Sequence, residues 1–174
     1  MTGFSLQPFP GQDPNGITIQ GGIERTAGSL VISFLLQGNL RDLVLPPMAG
    51  RQRCDNLWQS TCLEMFWAEE GRENYWELNL APSGDWNVYA FTDYRTGMRR
   101  EERIAGPLTA TQSTPDTFSL TAEVEIGVLR TRPPLRIGVC AVLRHRDNRL
   151  SYWALAHPEE RPDFHAPHAF LLRV

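Results

Sequence analysis

Glu64, Tyr75, Glu77, Asn79, Tyr89 and Arg95 bring two carboxylates, an amide, two phenol rings and a guanidinium into one short stretch of chain. Those groups suit a polar ring. The C–H faces of a sugar stack on aromatic side chains while its hydroxyls exchange hydrogen bonds with carboxylates and amides. In that reading Tyr75 and Tyr89 stack, and Glu64, Glu77 and Asn79 hydrogen-bond. Directly opposed across a ladder, Glu64 and Glu77 would also approach the separation of about 5 Å used by retaining glycosidases. Hydrolysis further needs a deep cleft and one carboxyl with a raised pKa, and no residue pattern supplies them. No nucleophile elbow, phosphate loop or dinucleotide fingerprint is present. The expectation is a binding module rather than an enzyme, with no catalytic residue.

The segment that must position these groups runs from Leu57 to Arg95 and holds four of the five tryptophans and three of the four tyrosines. Cys62–Ala68, Asn74–Leu80 and Trp86–Phe91 alternate in character with the period of a strand. Glu69–Glu73 and Ala81–Asp85 are short polar connections carrying Gly71, Pro82 and Gly84, so the three strands should be antiparallel neighbours. Pairing Glu64 with Glu77 and Asn79 with Asn87 sorts the side chains into two faces. Leu63, Met65, Trp67, Trp76, Leu78, Leu80, Trp86, Val88 and Ala90 form an apolar face that should be core. Cys62, Glu64, Phe66, Tyr75, Glu77, Asn79, Asn87, Tyr89 and Phe91 form a mixed one. Opposed glutamates repel, and Arg95 and Arg72 are candidates to offset the charge. The mixed face is then either a concave platform for a saccharide or another polar small molecule, or a structural surface. In the second case it is solvated, or covered by a second sheet or a partner chain, and the domain is a structural or protein-interaction one.

The chain has 174 residues, a length that suits one domain over residues 1–174 with a real core. A net charge of −3 and a pI of about 5.8 argue against non-specific nucleic-acid binding. All 17 basic residues are arginine, which favours planar, bidentate partners for the acids. No apolar run approaches a membrane span, and Met1–Pro10 lacks the basic and apolar regions of a secretion signal. Cys54, Cys62 and Cys140 lack metal spacing and, being odd in number, are expected as reduced thiols of a cytoplasmic protein.

Further strands are expected at Phe4–Phe9, Ile17–Arg25 with a bulge at Gly21-Gly22, Ser29–Gln37 covered on both sides, Ile104–Gln112 at an edge, Phe118–Ile126, Leu135–Leu143, Leu150–Leu155 and Ala169–Val174. Leu43–Leu45 is expected to pair briefly within a long connection, and Thr96–Arg103 to be a solvated charged loop. Ten or eleven closely spaced strands without a helix point to an all-β antiparallel sandwich.

The segments Leu57-Trp58, Thr61–Phe66, Tyr75–Trp86, Phe91, Tyr94-Arg95, Tyr152–Leu155 and Pro162–His165 resemble the DOMON-like domains, which look similar to type 9 carbohydrate-binding modules. The resemblance covers most of the chain from about Leu57. It implies a β-sandwich of jelly-roll type whose members bind sugars or haem. Calcium would come with the type 9 likeness, although no acidic loop here has an obvious ligand run. Haem would need a Met/His pair, for which Met98 or Met48 with His165 or His168 are the candidates. His157, His165, His168 and Asp163 cluster near the C-terminus but match no zinc spacing, and the expectation is structural histidines without a metal.

Overall fold

The computed structural model describes all 174 residues, Met1–Val174. Twelve strands form one antiparallel sheet that folds over on itself. They are β1 (Thr2–Pro8), β2 (Thr18–Arg25), β3 (Ser29–Gln37), β4 (Cys62–Glu69), β5 (Tyr75–Leu80), β6 (Trp86–Phe91), β7 (Arg99–Arg100), β8 (Leu108–Ser113), β9 (Thr117–Glu125), β10 (Leu135–Arg144), β11 (Leu150–Ala154) and β12 (Leu172–Arg173). The path runs β7-β6-β5-β4-β10-β11-β1-β2-β3-β9-β8, with β12 beside β10. β1 is the seam: Thr2–Leu6 pair with β2, whereas Gln7 and Pro8 pair with β11. The expected fold class, an all-β antiparallel sandwich, is the one observed.

Alternation places the core between the two halves. Ile19, Ile23, Leu30, Ile32, Phe34, Leu36, Phe118 and Leu120 from one half meet Leu63, Met65, Trp67, Leu78, Val88, Ile137 and Val139 from the other in a single buried cluster. All nine residues assigned to the apolar face of the central meander lie in it. Burial of this apolar surface is the main stabilising term.

Four sequence expectations change. β3 is buried on one side only, at its even-numbered residues, because Val31, Ser33 and Leu35 face outward and are half-buried. No bulge interrupts Gly21-Gly22; both residues pair in register with β1 and β3. Gly21 is there because the strands come too close for a side chain: a Cβ would lie 1.9 Å from the Ser33 carbonyl and 2.6 Å from the Phe4 ring. The edge strand β8 starts only at Leu108, directly after Pro107, which has no N–H to give a ladder. Within the charged loop, Arg99 and Arg100 form a short strand on β6.

The largest correction concerns register. Glu64 pairs with Asn79, and Glu77 pairs with Phe66. The expected Glu64–Glu77 pairing is two residues out, while Asn79 does oppose Asn87. A shift of two keeps every side chain on its face, so the division into faces holds although the partners differ.

Candidate functional site

The mixed face is not an open platform. Tyr75, Glu77 and Tyr89 are 2%, 4% and 3% exposed. The 3-10 turn Leu57–Gln59 and the segment after β11, down to Phe170, cover it. Phe170 sits over Gly138 of β10, where a Cβ would come within 2.7 Å of its ring. Phe66, Tyr75, Tyr89, Phe91, Cys140, Ala154 and Phe170 make a second small core beneath this cover.

The cover leaves one cavity of about 500 Å³. Glu64 of β4 and Glu77 of β5 stand on its sheet side, and Trp58, Phe91, Tyr152 and Phe164 supply aromatic lining. His165, Arg95, Met98, Val142 and Leu150 also line it. Its volume lies within the range of small-molecule sites.

The two carboxyl groups are held differently. Asn79 Nδ2 donates to Glu77 Oε1 at 2.8 Å. Cys140 Sγ donates to Glu64 Oε2 at 3.3 Å, while Glu64 Oε1 is buried without a partner. Burial, then the neighbouring Glu77 charge, pushes the Glu64 carboxyl well above its ordinary range. Burial also raises Glu77, against the opposing pull of the Asn79 amide and Arg95. Burial keeps the flanking Cys62 and Cys140 thiols protonated.

His165 hangs over this pair. Its Nδ1 lies 2.8 Å from the Tyr75 hydroxyl, and its Nε2 is 3.9 Å from Glu77 Oε2. The Tyr75 oxygen already accepts the Arg95 backbone N–H at 3.1 Å. Its own proton therefore goes to Nδ1, which leaves the imidazole proton on Nε2, toward Glu77. Burial, and secondarily Arg95, lowers the His165 pKa to about 4, so the ring is neutral. Arg95 itself donates to Asp163 at 2.8 Å, and Tyr94 donates to the other Asp163 oxygen at 2.5 Å.

Of the six residues expected to touch a ligand, Glu64, Glu77 and Arg95 line the cavity. Asn79 and Tyr75 stand behind it, the first holding Glu77 and the second holding His165. The expected stacking by Tyr75 and Tyr89 does not fit the structure. The Tyr75 ring is stacked on Phe91, with centroids 4.6 Å apart. Tyr89 lies under Trp58 and donates to Asp55 at 2.7 Å. Arg72 pairs with Glu69 at the surface, far from the role of offsetting the mixed face. Trp58, Tyr152 and Phe164 line the cavity where the two tyrosines do not. Sequence alternation could not find them, since they come from a 3-10 turn, a more distant strand and a loop; the aromatic residue within the proline-rich run Pro158–Pro167 was the available sign.

No group of three or more His, Cys, Asp or Glu side chains is arranged to hold a metal ion. His157 bonds the Gln7 carbonyl at 2.9 Å, and His168 pairs with Glu159 at 3.2 Å. Met98 and His165 do share the cavity, but the site does not fit haem. The imidazole Nδ1 is taken by Tyr75, Nε2 is directed at a carboxyl group, and the macrocycle would have to bury itself on two carboxyls. Met48 lies against the turn at Gly84 instead.

No protein-family model matches the sequence, and no curated protein matches it. Among solved structures, the fold is similar to that of a proposed carbohydrate-binding protein from Bacteroides uniformis ATCC 8492, with a TM-score of 0.64 at 11% identity over 95% of this chain and 83% of that one. A weaker likeness, TM-score 0.46 at 11% identity over 80% of this chain, is to a family 9 carbohydrate-binding module from Caldicellulosiruptor kristjanssonii, seen with glucose and with cellotriose. This chain covers 66% and 65% of those two chains. The first likeness shows a shared sandwich; the second is too slight to bear on function.

Proposed function

We propose that this chain is a non-catalytic module that binds a small saccharide inside the cavity. The observation that carries the reading is the bare Glu64 Oε1, buried and without a partner, on the wall of an aromatic-lined cavity. A buried polar atom left without a partner costs free energy that a ligand hydrogen bond recovers. Trp58, Tyr152 and Phe164 offer the rings on which a sugar's C–H faces pack. The carbohydrate-binding description of the Bacteroides neighbour agrees with this reading. The cavity admits one or two rings rather than a long chain lying across a sheet.

Hydrolysis is the weaker use of the same groups. A glycosidase pushes its two carboxyl pKa values apart, so that one is an acid and the other a carboxylate. Here burial pushes both upward.

Titration calorimetry with a panel of mono- and disaccharides tests the reading. Binding by the native chain should fall by about ten-fold or more in Trp58→Ala, with an unchanged circular-dichroism spectrum. Absence of any saccharide heat from the native chain would sink it.

A further inference from the structure

We propose that the cavity selects a sugar carrying a protonated amine, an amino sugar, over its neutral counterpart. The inference rests on the saccharide reading for the ring that bears the amine, and it turns on the charge of the two cavity carboxyls.

Neither carboxyl is ion-paired with a guanidinium; Arg95 pairs with Asp163 and acts on Glu77 only from a distance. Glu64 meets only neutral thiols, accepting from Cys140 Sγ at 3.3 Å with Cys62 beside it, and its Oε1 has no hydrogen-bond partner. Glu77 meets the Asn79 amide, with a neutral imidazole at 3.9 Å. Arg95, the one guanidinium lining the cavity, is held by Asp163 at the rim.

A neutral hydroxyl does not require this arrangement. An amide at position 64 or 77 would accept from a hydroxyl equally well, without the cost of burying charge. What a carboxylate adds is charge, and a second carboxylate beside it doubles the attraction for an ammonium group. Aromatic walls act in the same direction, because an ammonium near a ring face is attracted by the ring's quadrupole. A ring amine reaching the carboxyls while its carbons lie against Trp58 or Phe164 satisfies both features at once. A charge-assisted hydrogen bond to Glu64 Oε1 is stronger than a neutral one.

The empty site must hold a proton that the bound site does not. Before a ligand cation enters, burial favours the protonated carboxyl on both Glu64 and Glu77, although the Asn79 amide and Arg95 pull Glu77 the other way. The titratable groups facing them are Cys62 on β4, Tyr75 on β5, Tyr89 on β6, Cys140 on β10, His165 on the covering segment and Arg95 beyond β6, and burial keeps both phenols protonated. The thiols are protonated, the imidazole is neutral and the guanidinium stays charged. An entering ammonium therefore draws its proton release from the carboxyl pair.

The test is calorimetry on the full chain at neutral pH with glucosamine, glucose, N-acetylglucosamine and cyclohexylammonium chloride. Glucosamine should bind about ten-fold or more tighter than glucose and N-acetylglucosamine. Repeating the titration in buffers of different ionisation enthalpy should show net proton release. The preference should vanish in Glu64→Gln and shrink in Glu77→Gln, the second variant serving if the first does not fold. Glucose binding as tightly as glucosamine, or a preference that survives both substitutions, would overturn this inference and leave the saccharide reading standing. Cyclohexylammonium binding that depends on Glu64, with no sugar bound, would keep the ammonium site and remove the saccharide reading. No heat from any of the four would remove both.

Discussion

Glu64 lies directly across the β4–β5 ladder from Asn79, not from Glu77. The two carboxyl groups are thus diagonal neighbours on one face, where long side chains still interact. Asn79 serves Glu77 rather than the residue it opposes, and that choice leaves Glu64 with its free oxygen.

Glu64→Gln should stabilise the protein, and more so as pH rises. A carboxyl whose folded pKa is raised keeps its proton where the unfolded chain has already lost it. Stability then falls as pH climbs from the ordinary carboxylate range toward the folded pKa. Removing the acid removes that slope. Thermal melts should show a gain of about 1–2 kcal/mol at pH 8 that shrinks toward zero at pH 5; a constant difference would contradict the assignment.

Glu101→Gln should behave in the opposite sense. Glu101 is buried, accepts from Trp76 Nε1 at 3.1 Å, and meets Arg103 at 2.7 Å through both carboxylate oxygens. The Arg103 hydrogen bonds, opposed by burial and aided by Trp76, hold its pKa down to about 2. Its contribution is present above the unfolded carboxylate pKa and lost as pH falls toward 2. Arg103 is half exposed, so solvent screening keeps the loss at roughly 1–2 kcal/mol at pH 7. Denaturant titrations should show this gap closing at pH 2.

Gly138→Ala should loosen the cover of the cavity without touching its lining. The new methyl would meet the Phe170 ring at 2.7 Å, so the ring must lift or the strand must shift. A loss of about 1–3 kcal/mol is expected, with faster amide exchange between Pro158 and Phe170. Adding Phe170→Leu to the same chain should return part of the loss, a non-additivity that two contacting residues show.

The amino-acid sequence alone determined the sandwich and the sorting of the central meander. Trp67, Leu78 and Val88 could only go inward once each strand alternated, and a register error of two left that unchanged. What surrounds Glu64 and Glu77 was decided in three dimensions. Alternation fixes which way a side chain points from its own strand, but it carries no information on what later packs above it. The turn bearing Trp58 and the loop bearing Phe164 and His165 are distant in sequence from the sheet they cover. Their seating depends on particular contacts such as Phe170 on Gly138. That covering layer turned an expected open face into a partly covered cavity, buried Tyr75 and Tyr89 as supports, and left one glutamate oxygen without a partner.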